Sequence, residues 1–207
     1  MVGEKEIKNK WFVALKPNKG DIFNTDGLAQ LSSPPGRYYA DPFIFKKDDV
    51  NYLFFEDTDY KKGVISCCTI DENLKISQPK VVLDRPYHLS FPCIFQEGDD
   101  IYMIPETGQR GTIEIYKSSE FPNKWELCKI LVQGLQTADP VIFKHDGVWF
   151  LMCTARAGKI PQKQGVDQEI VSFDDGVLIL YSDNILGDWS IHPKCKDSFP
   201  FFQNDSR

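Results

Sequence analysis

The chain has 207 residues, 24 basic and 30 acidic side chains, and a net charge of −6. No Lys/Arg run is dense enough to neutralise a row of phosphates, which argues against nucleic acid. No apolar run approaches the roughly 18 residues of a membrane span, and the mixture of 42% hydrophobic and 26% charged residues argues against wholesale disorder.

The opening MVGEKEIKNK lacks the apolar stretch of a signal peptide. WFVAL (Trp11 to Leu15) then resembles the outer strand of a blade, with no inner strands before it. From Tyr39 the chain repeats itself: ADPFIF (Ala40 to Phe45), SFPCIF (Ser90 to Phe95) and ADPVIF (Ala138 to Phe143) place Pro42, Pro92 and Pro140 at intervals of 50 and 48 residues. A polar turn follows each segment (KKDDVN, QEGDD, KHDG), and then a second apolar run (YLFFE, IYMIPE, VWFLMCT). A third run comes next (VISCCTI, TIEIYKS, VLILYS), and a weaker fourth (PKVVL, KWELCKIL, DWSIHP). Aromatic and β-branched runs with Gly/Asp turns predict strands and hairpins. Four antiparallel strands per repeat of about 50 residues is the pattern of a β-propeller blade.

The reading is therefore an all-β chain, residues 1–207, forming one propeller domain. Blades are expected at about 39–84, 87–132 and 136–193. Three blades and one extra strand do not close a ring, so the sequence is expected to be part of a longer propeller that continues beyond residue 207. In such a fold the start of each inner strand and the end of the next strand emerge on one face. That places Asp41, His88, Ser90 and Asp139 at one mouth of the axis with Glu56, Glu106 and Arg156. Tyr39, beside them, is a candidate sugar-stacking residue. His145 and Asp146, in the KHDG turn, face the other way. The insert from Ala155 to Gly176 is expected on the mouth face.

Carboxylates crowded into a partly dry funnel repel one another and lose hydration, so acid and base roles can separate from identical side chains. Glycoside hydrolysis uses such a pair. The structural alternative is that an Asp before Pro caps its own turn. The six cysteines form no C-x-x-C pair, so neither zinc nor a disulfide framework is expected. Free buried thiols fit a reducing cytoplasm. Carboxylate oxygens at an axis suit calcium, yet no D-x-D-x-D-G loop is present, and no cofactor is expected.

The succession YYADPFIF, YLFFE, YHLSFPCIF, IYMIPET, FP-x-x-W (Phe121 to Trp125), ADPVIF and LGDWSIHP resembles the N-terminal domain of plant glucosamine inositolphosphorylceramide transferases and its stand-alone bacterial relatives. That domain is in turn similar to the five-bladed propellers of arabinanase, xylosidase and invertase glycosidases. The resemblance implies a five-bladed type of fold and a saccharide or glycoconjugate ligand. It implies that Asp41 takes the place of the base or nucleophile and Asp139 that of an assisting, orienting residue. The usual catalytic acid is a Glu of the fourth blade, which this sequence does not reach; Glu106 is the acid available within it. Three readings stay open: a glycan-binding module with Glu56, His88, Ser90, Tyr39 and Arg156 as contacts, an active glycosidase using Asp41, Asp139 and Glu106, and a non-enzymatic interaction scaffold. The sequence leaves the oligomeric state open.

Overall fold

The computed structural model describes residues 11–17, 21, 23–161, 167–170 and 176–198. A short ribbon comes first, β1 (Val13–Leu15) paired antiparallel with β2 (Ala29–Leu31). The first blade is β3 (Tyr38–Lys47), β4 (Val50–Thr58), β5 (Gly63–Ile70) and β6 (Lys80–Leu83), hydrogen-bonded in that order. The second is β7 (Ser90–Glu97), β8 (Asp100–Thr107), β9 (Thr112–Glu120) and β10 (Lys124–Gln133). The third is β11 (Leu135–His145), β12 (Val148–Pro161), β14 (Gly176–Ser182) and β15 (Ser190–Ile191), with β13 (Asp167–Ile170) folding back on the end of β12. A six-residue helix, α1 (Pro193–Ser198), follows. Among the described residues no helix is long and apolar enough to cross a membrane.

The sheets are arranged radially because their apolar residues point both ways. On β4, Phe54 joins the core shared with the second blade, while Leu53 and Phe55 join the core under the β1–β2 ribbon. On β8, Ile101 and Met103 face the first blade; Tyr102 and Ile104 face the third. Successive side chains of a strand point to opposite faces, so a near-continuous apolar run means a sheet covered on both sides. Inner strands accordingly touch in order, β3 with β7 and β7 with β11, and outer strand β6 touches β10. The N-terminal strand β1 pairs with the short β2, and Val13 and Leu31 pack against the first blade.

Two-residue turns join the first two strands of each blade. Asp48 and Asp49 (φ 48° and 61°), and Asp146 with Gly147 (φ 47° and 81°), adopt the left-handed pair that a tight hairpin needs. These turns lie at the opposite end of the inner strands from the mouth. The cysteines among the described residues are all free, with Cys67, Cys68, Cys93, Cys153 and Cys195 buried and Cys128 exposed.

Ile104, fully buried between the second and third blades, should cost about 2–5 kcal/mol when cut to Ala. Val81, exposed on β6, should change stability by no more than about 0.5 kcal/mol. Urea denaturation of the two variants checks the pair.

Candidate functional site

Each inner strand begins with a bulge. The ladder slips between Ala40 and Phe43, between Ser90 and Cys93, and between Ala138 and Val141. The residue before each repeat proline takes a left-handed conformation: Asp41 at φ 49°, Phe91 at 44° and Asp139 at 54°. A bulge re-aims a side chain off the ladder, and here it happens at the same place three times. Asp tolerates this conformation better than most residues, whereas for Phe it is strained. Phe91 adopts it without a carboxylate, so the bulge alone does not require Asp.

The bulged residues meet the ends of the second strands. The Phe91 N–H donates to Oδ2 of Asp41 at 3.2 Å, and the Asp139 N–H donates to Oε2 of Glu106 at 3.0 Å. An acid of the first blade and one of the second thus each accept an amide from the next blade. Glu56, 6% exposed, lies 3.3 Å from Nε2 of His88. Nδ1 of His88 accepts the Gly63 N–H at 2.9 Å. This contact fixes the tautomer: Nδ1 holds the lone pair and Nε2–H points at Glu56. The His88 N–H donates to Oε1 of Gln109 at 2.7 Å. A β-carbon at Gly63 would sit 2.4 Å from the Leu89 carbonyl and 2.8 Å from the His88 ring, so only Gly lets the two approach.

Ser90 is buried at the start of β7, opposite Glu106. The side chain of Arg156 lies outside the described residues, as does most of the insert's side-chain structure; its backbone extends β12 and returns as β13. Tyr39 is a correction. It is 4% exposed, its ring lies 4.6 Å from Phe55, and it belongs to the core under the N-terminal ribbon. Strand alternation turns its neighbour Tyr38 the other way, where burial raises its phenol and the charges of Glu56 and Asp41 add to the rise. Asp57, next to Glu56, is buried in a structural pairing with Arg37 Nε at 2.6 Å and Ser66 Oγ at 3.0 Å.

A pocket of about 400 Å³ opens beside Asp41, lined by Trp11, Phe12, Pro42, Phe91 and Pro92. Trp11 and Phe12 are 63% and 55% exposed. Reading Trp11 to Leu15 only as a strand missed these rings; they precede β1 and carry no repeat signal. Among the described residues no group of three or more His, Cys, Asp or Glu is arranged to hold a metal ion.

Burial pushes the Asp41 carboxyl above its ordinary range, and the charges of Glu56 and Asp139 push it further against the pull of the Phe91 amide. Glu106 is raised chiefly by burial, with Asp139 and Asp41 adding to it, while the Asp139 amide and His88 oppose. The bond to Glu56 raises His88, and burial opposes it. These mutual effects tie Asp41, Glu56, His88, Glu106 and Asp139 into one electrostatic unit contributed by three blades.

The family model for glucosamine inositolphosphorylceramide transferase 1, N-terminal, matches residues 13–198. The chain is 31% identical over 166 residues to glucosamine inositolphosphorylceramide transferase 1 of Arabidopsis thaliana, covering 79% of this chain and 20% of that protein. It is 29% identical over 161 residues to the protein of the same name in Oryza sativa subsp. indica, covering 76% and 20%. The chain thus spans about a fifth of the length of these relatives. Among solved structures it resembles a family 117 glycoside hydrolase of Zobellia galactanivorans, with TM-score 0.57, 14% identity, and 88% of this chain and 61% of that one covered. It also resembles the xyloglucan GH43B protein of Bacteroides ovatus, with TM-score 0.54, 14% identity, and coverage of 75% and 29%. These likenesses establish the propeller fold.

Asp41 and Glu106 hold protons more tightly folded than unfolded. Each therefore favours folding most below its unfolded value, and that advantage is lost as pH rises through the raised folded value. Asp41→Asn and Glu106→Gln keep an oxygen for the Phe91 and Asp139 amides and remove the charge. Both should raise the melting temperature at neutral pH, and the gain should vanish near roughly pH 3, where unfolded carboxyls are also protonated. Thermal melts across that range check the sign.

Proposed function

The chain belongs to the family of the N-terminal domain of glucosamine inositolphosphorylceramide transferase 1, and from that membership we propose that it is a propeller module that binds a saccharide at its acidic mouth. The observation that carries this reading is the pairing of an aromatic-walled pocket with the Asp41 carboxylate at its edge. A pyranose ring has an apolar C–H face and a rim of hydroxyls. Trp11, Phe12 and Phe91 suit the face; Asp41 suits the rim. A few polar groups in a mostly apolar concavity of this size are what small-ligand sites use to set orientation. The relatives' name carries glucosamine, so a glucosamine-bearing glycan is the first ligand to try. The transfer reaction in that name is not assigned to this chain, which spans a fifth of those proteins.

Calorimetry with methyl glycosides of glucosamine, glucose and xylose should give saturable binding to at least one of them. Trp11→Ala and Asp41→Ala should each weaken it about tenfold, roughly 1.4 kcal/mol. If none of the three binds at tens of millimolar (roughly the weakest affinity worth the name on that scale), the reading fails.

A second reading has its own support. Asp41 and Glu106 are both held above the ordinary carboxyl range, in the company of Asp139; a raised carboxyl suits the acid of an acid–base pair, whose other member must stay ionised. As a glycosidase, the protein would use Asp41 as base or nucleophile. Asp41→Asn should then lower turnover of aryl glycosides by about 10²–10⁴, and Glu106→Gln should do the same if Glu106 is the acid. Activity that survives Asp41→Asn removes this reading.

A further inference from the structure

Glu114 on β9 is fully buried, apart from the acids gathered at the mouth. Its carboxylate gathers four donors. Tyr87 Oη donates to Oε2 at 2.7 Å, and the Tyr116 hydroxyl donates to the same oxygen. Thr112 Oγ1 donates to Oε1 at 2.9 Å, and Arg110 Nε lies 3.2 Å from Oε1. The rest of the network closes around these. Tyr87 and Tyr116 hydroxyls are 3.2 Å apart, Arg85 Nε reaches Tyr116 Oη at 3.3 Å, and the Arg110 guanidinium lies 5.1 Å from the centre of the Tyr87 ring.

Two of those donors lead to His88. Tyr87 is its immediate neighbour, in the link between the first and second blades. Arg110 ends the short turn Gly108–Arg110, whose Gln109 side chain accepts the His88 N–H. That same turn is pressed against the third blade: a β-carbon on Gly108 would meet the Thr137 carbonyl at 2.4 Å. The backbone at His88 and just before it is therefore held through one carboxylate. His88 and Leu89 are then tied to the first blade through the Gly63 amide and carbonyl.

We infer that Glu114 is a positioning residue for the mouth: through Tyr87 and Arg110 it holds the His88 imidazole in register with Glu56. Its functional weight rests on the reading that the mouth is the ligand site, but the positioning itself does not. A charge-assisted cluster with every member satisfied is rigid, and rigidity of supporting contacts is what keeps a site group in one geometry. The charged groups that face His88 are Glu56 from β4, Glu106 from β8 and Asp41 from β3.

The test uses the whole chain and needs no ligand for its main readout. The protein has three histidines, and nitrogen NMR of their rings, assigned with His88→Gln, reports tautomer and titration midpoint for each. Tyr87→Phe removes one hydroxyl and Glu114→Gln removes the charge. In both, His88 should lose its single Nε2–H tautomer and its midpoint should fall toward that of free imidazole, while His145 and His192 stay put. Ile104→Val serves as a destabilised control in which His88 should not move. If both Tyr87→Phe and Glu114→Gln leave the His88 tautomer and midpoint unchanged, whatever happens to their melting temperatures, Glu114 is structural only and the inference is overturned. Saccharide affinity of Tyr87→Phe, measured alongside, should weaken about tenfold, within the cost that a displaced site group carries. A His88 that responds in a protein that binds no sugar upholds the positioning and rejects the ligand reading. A His88 that does not respond in a protein that binds sugar does the reverse.

Discussion

A sheet that is apolar on both faces must be covered on both faces. That requirement governs this molecule. β4 sends Phe54 one way and Leu53 with Phe55 the other, and β8 divides its side chains in the same manner. Each buried side chain of this size contributes about 1.5–3 kcal/mol, so leaving a face open is costly. Stacking the sheets face to face meets the requirement, and their twist turns the stack into an arc about the inner strands. The starts of β3, β7 and β11 then come together whatever residues they carry. The mouth is a product of packing first and of chemistry second.

Chemistry enters through what occupies the converging positions. Asp41 and Glu106 each have two tasks. Each accepts a backbone amide from the following blade, which ties neighbouring sheets at the axis. Each also adds charge to a space that already holds Glu56 and Asp139. The first task needs an oxygen; the second needs ionisation. A neutral amide would perform the first without the electrostatic penalty of the second. The retention of carboxyls at a costly place is the physical argument for a role beyond architecture.

Much of this was legible in the residues. The spacing of Pro42, Pro92 and Pro140 exposed the blade period, and the antiparallel order of strands in a propeller blade put Asp41, Glu56, Glu106 and Asp139 at one end of the sheets. Other features were beyond pattern reading. Choosing Tyr39 over Tyr38 required the strand's phase, and the bulge after Ala40 shifts that phase by a residue. The ribbon partner of β1 is three residues, Ala29–Leu31, too short to show a period. The contact of Gly63 with His88 joins residues 25 apart through a missing side chain, a signal that only coordinates display. Glu114 reads in sequence as one polar residue in an alternating strand, the expected pattern for a solvated face; burial among tyrosines reverses that expectation.

Phe91 sits where the other two blades carry Asp, with the same left-handed backbone at φ 44°. An aspartate there would relieve conformational strain, since Asp visits this region far more readily than an aromatic residue. It would also place a fifth carboxyl among Asp41, Glu56, Glu106 and Asp139. The second blade thus exchanges one kind of tension for another: a strained aromatic backbone in place of further like-charge repulsion. The outcome is a lopsided set of strand starts, with an aromatic ring before the proline of the second blade and a carboxyl before those of the first and third.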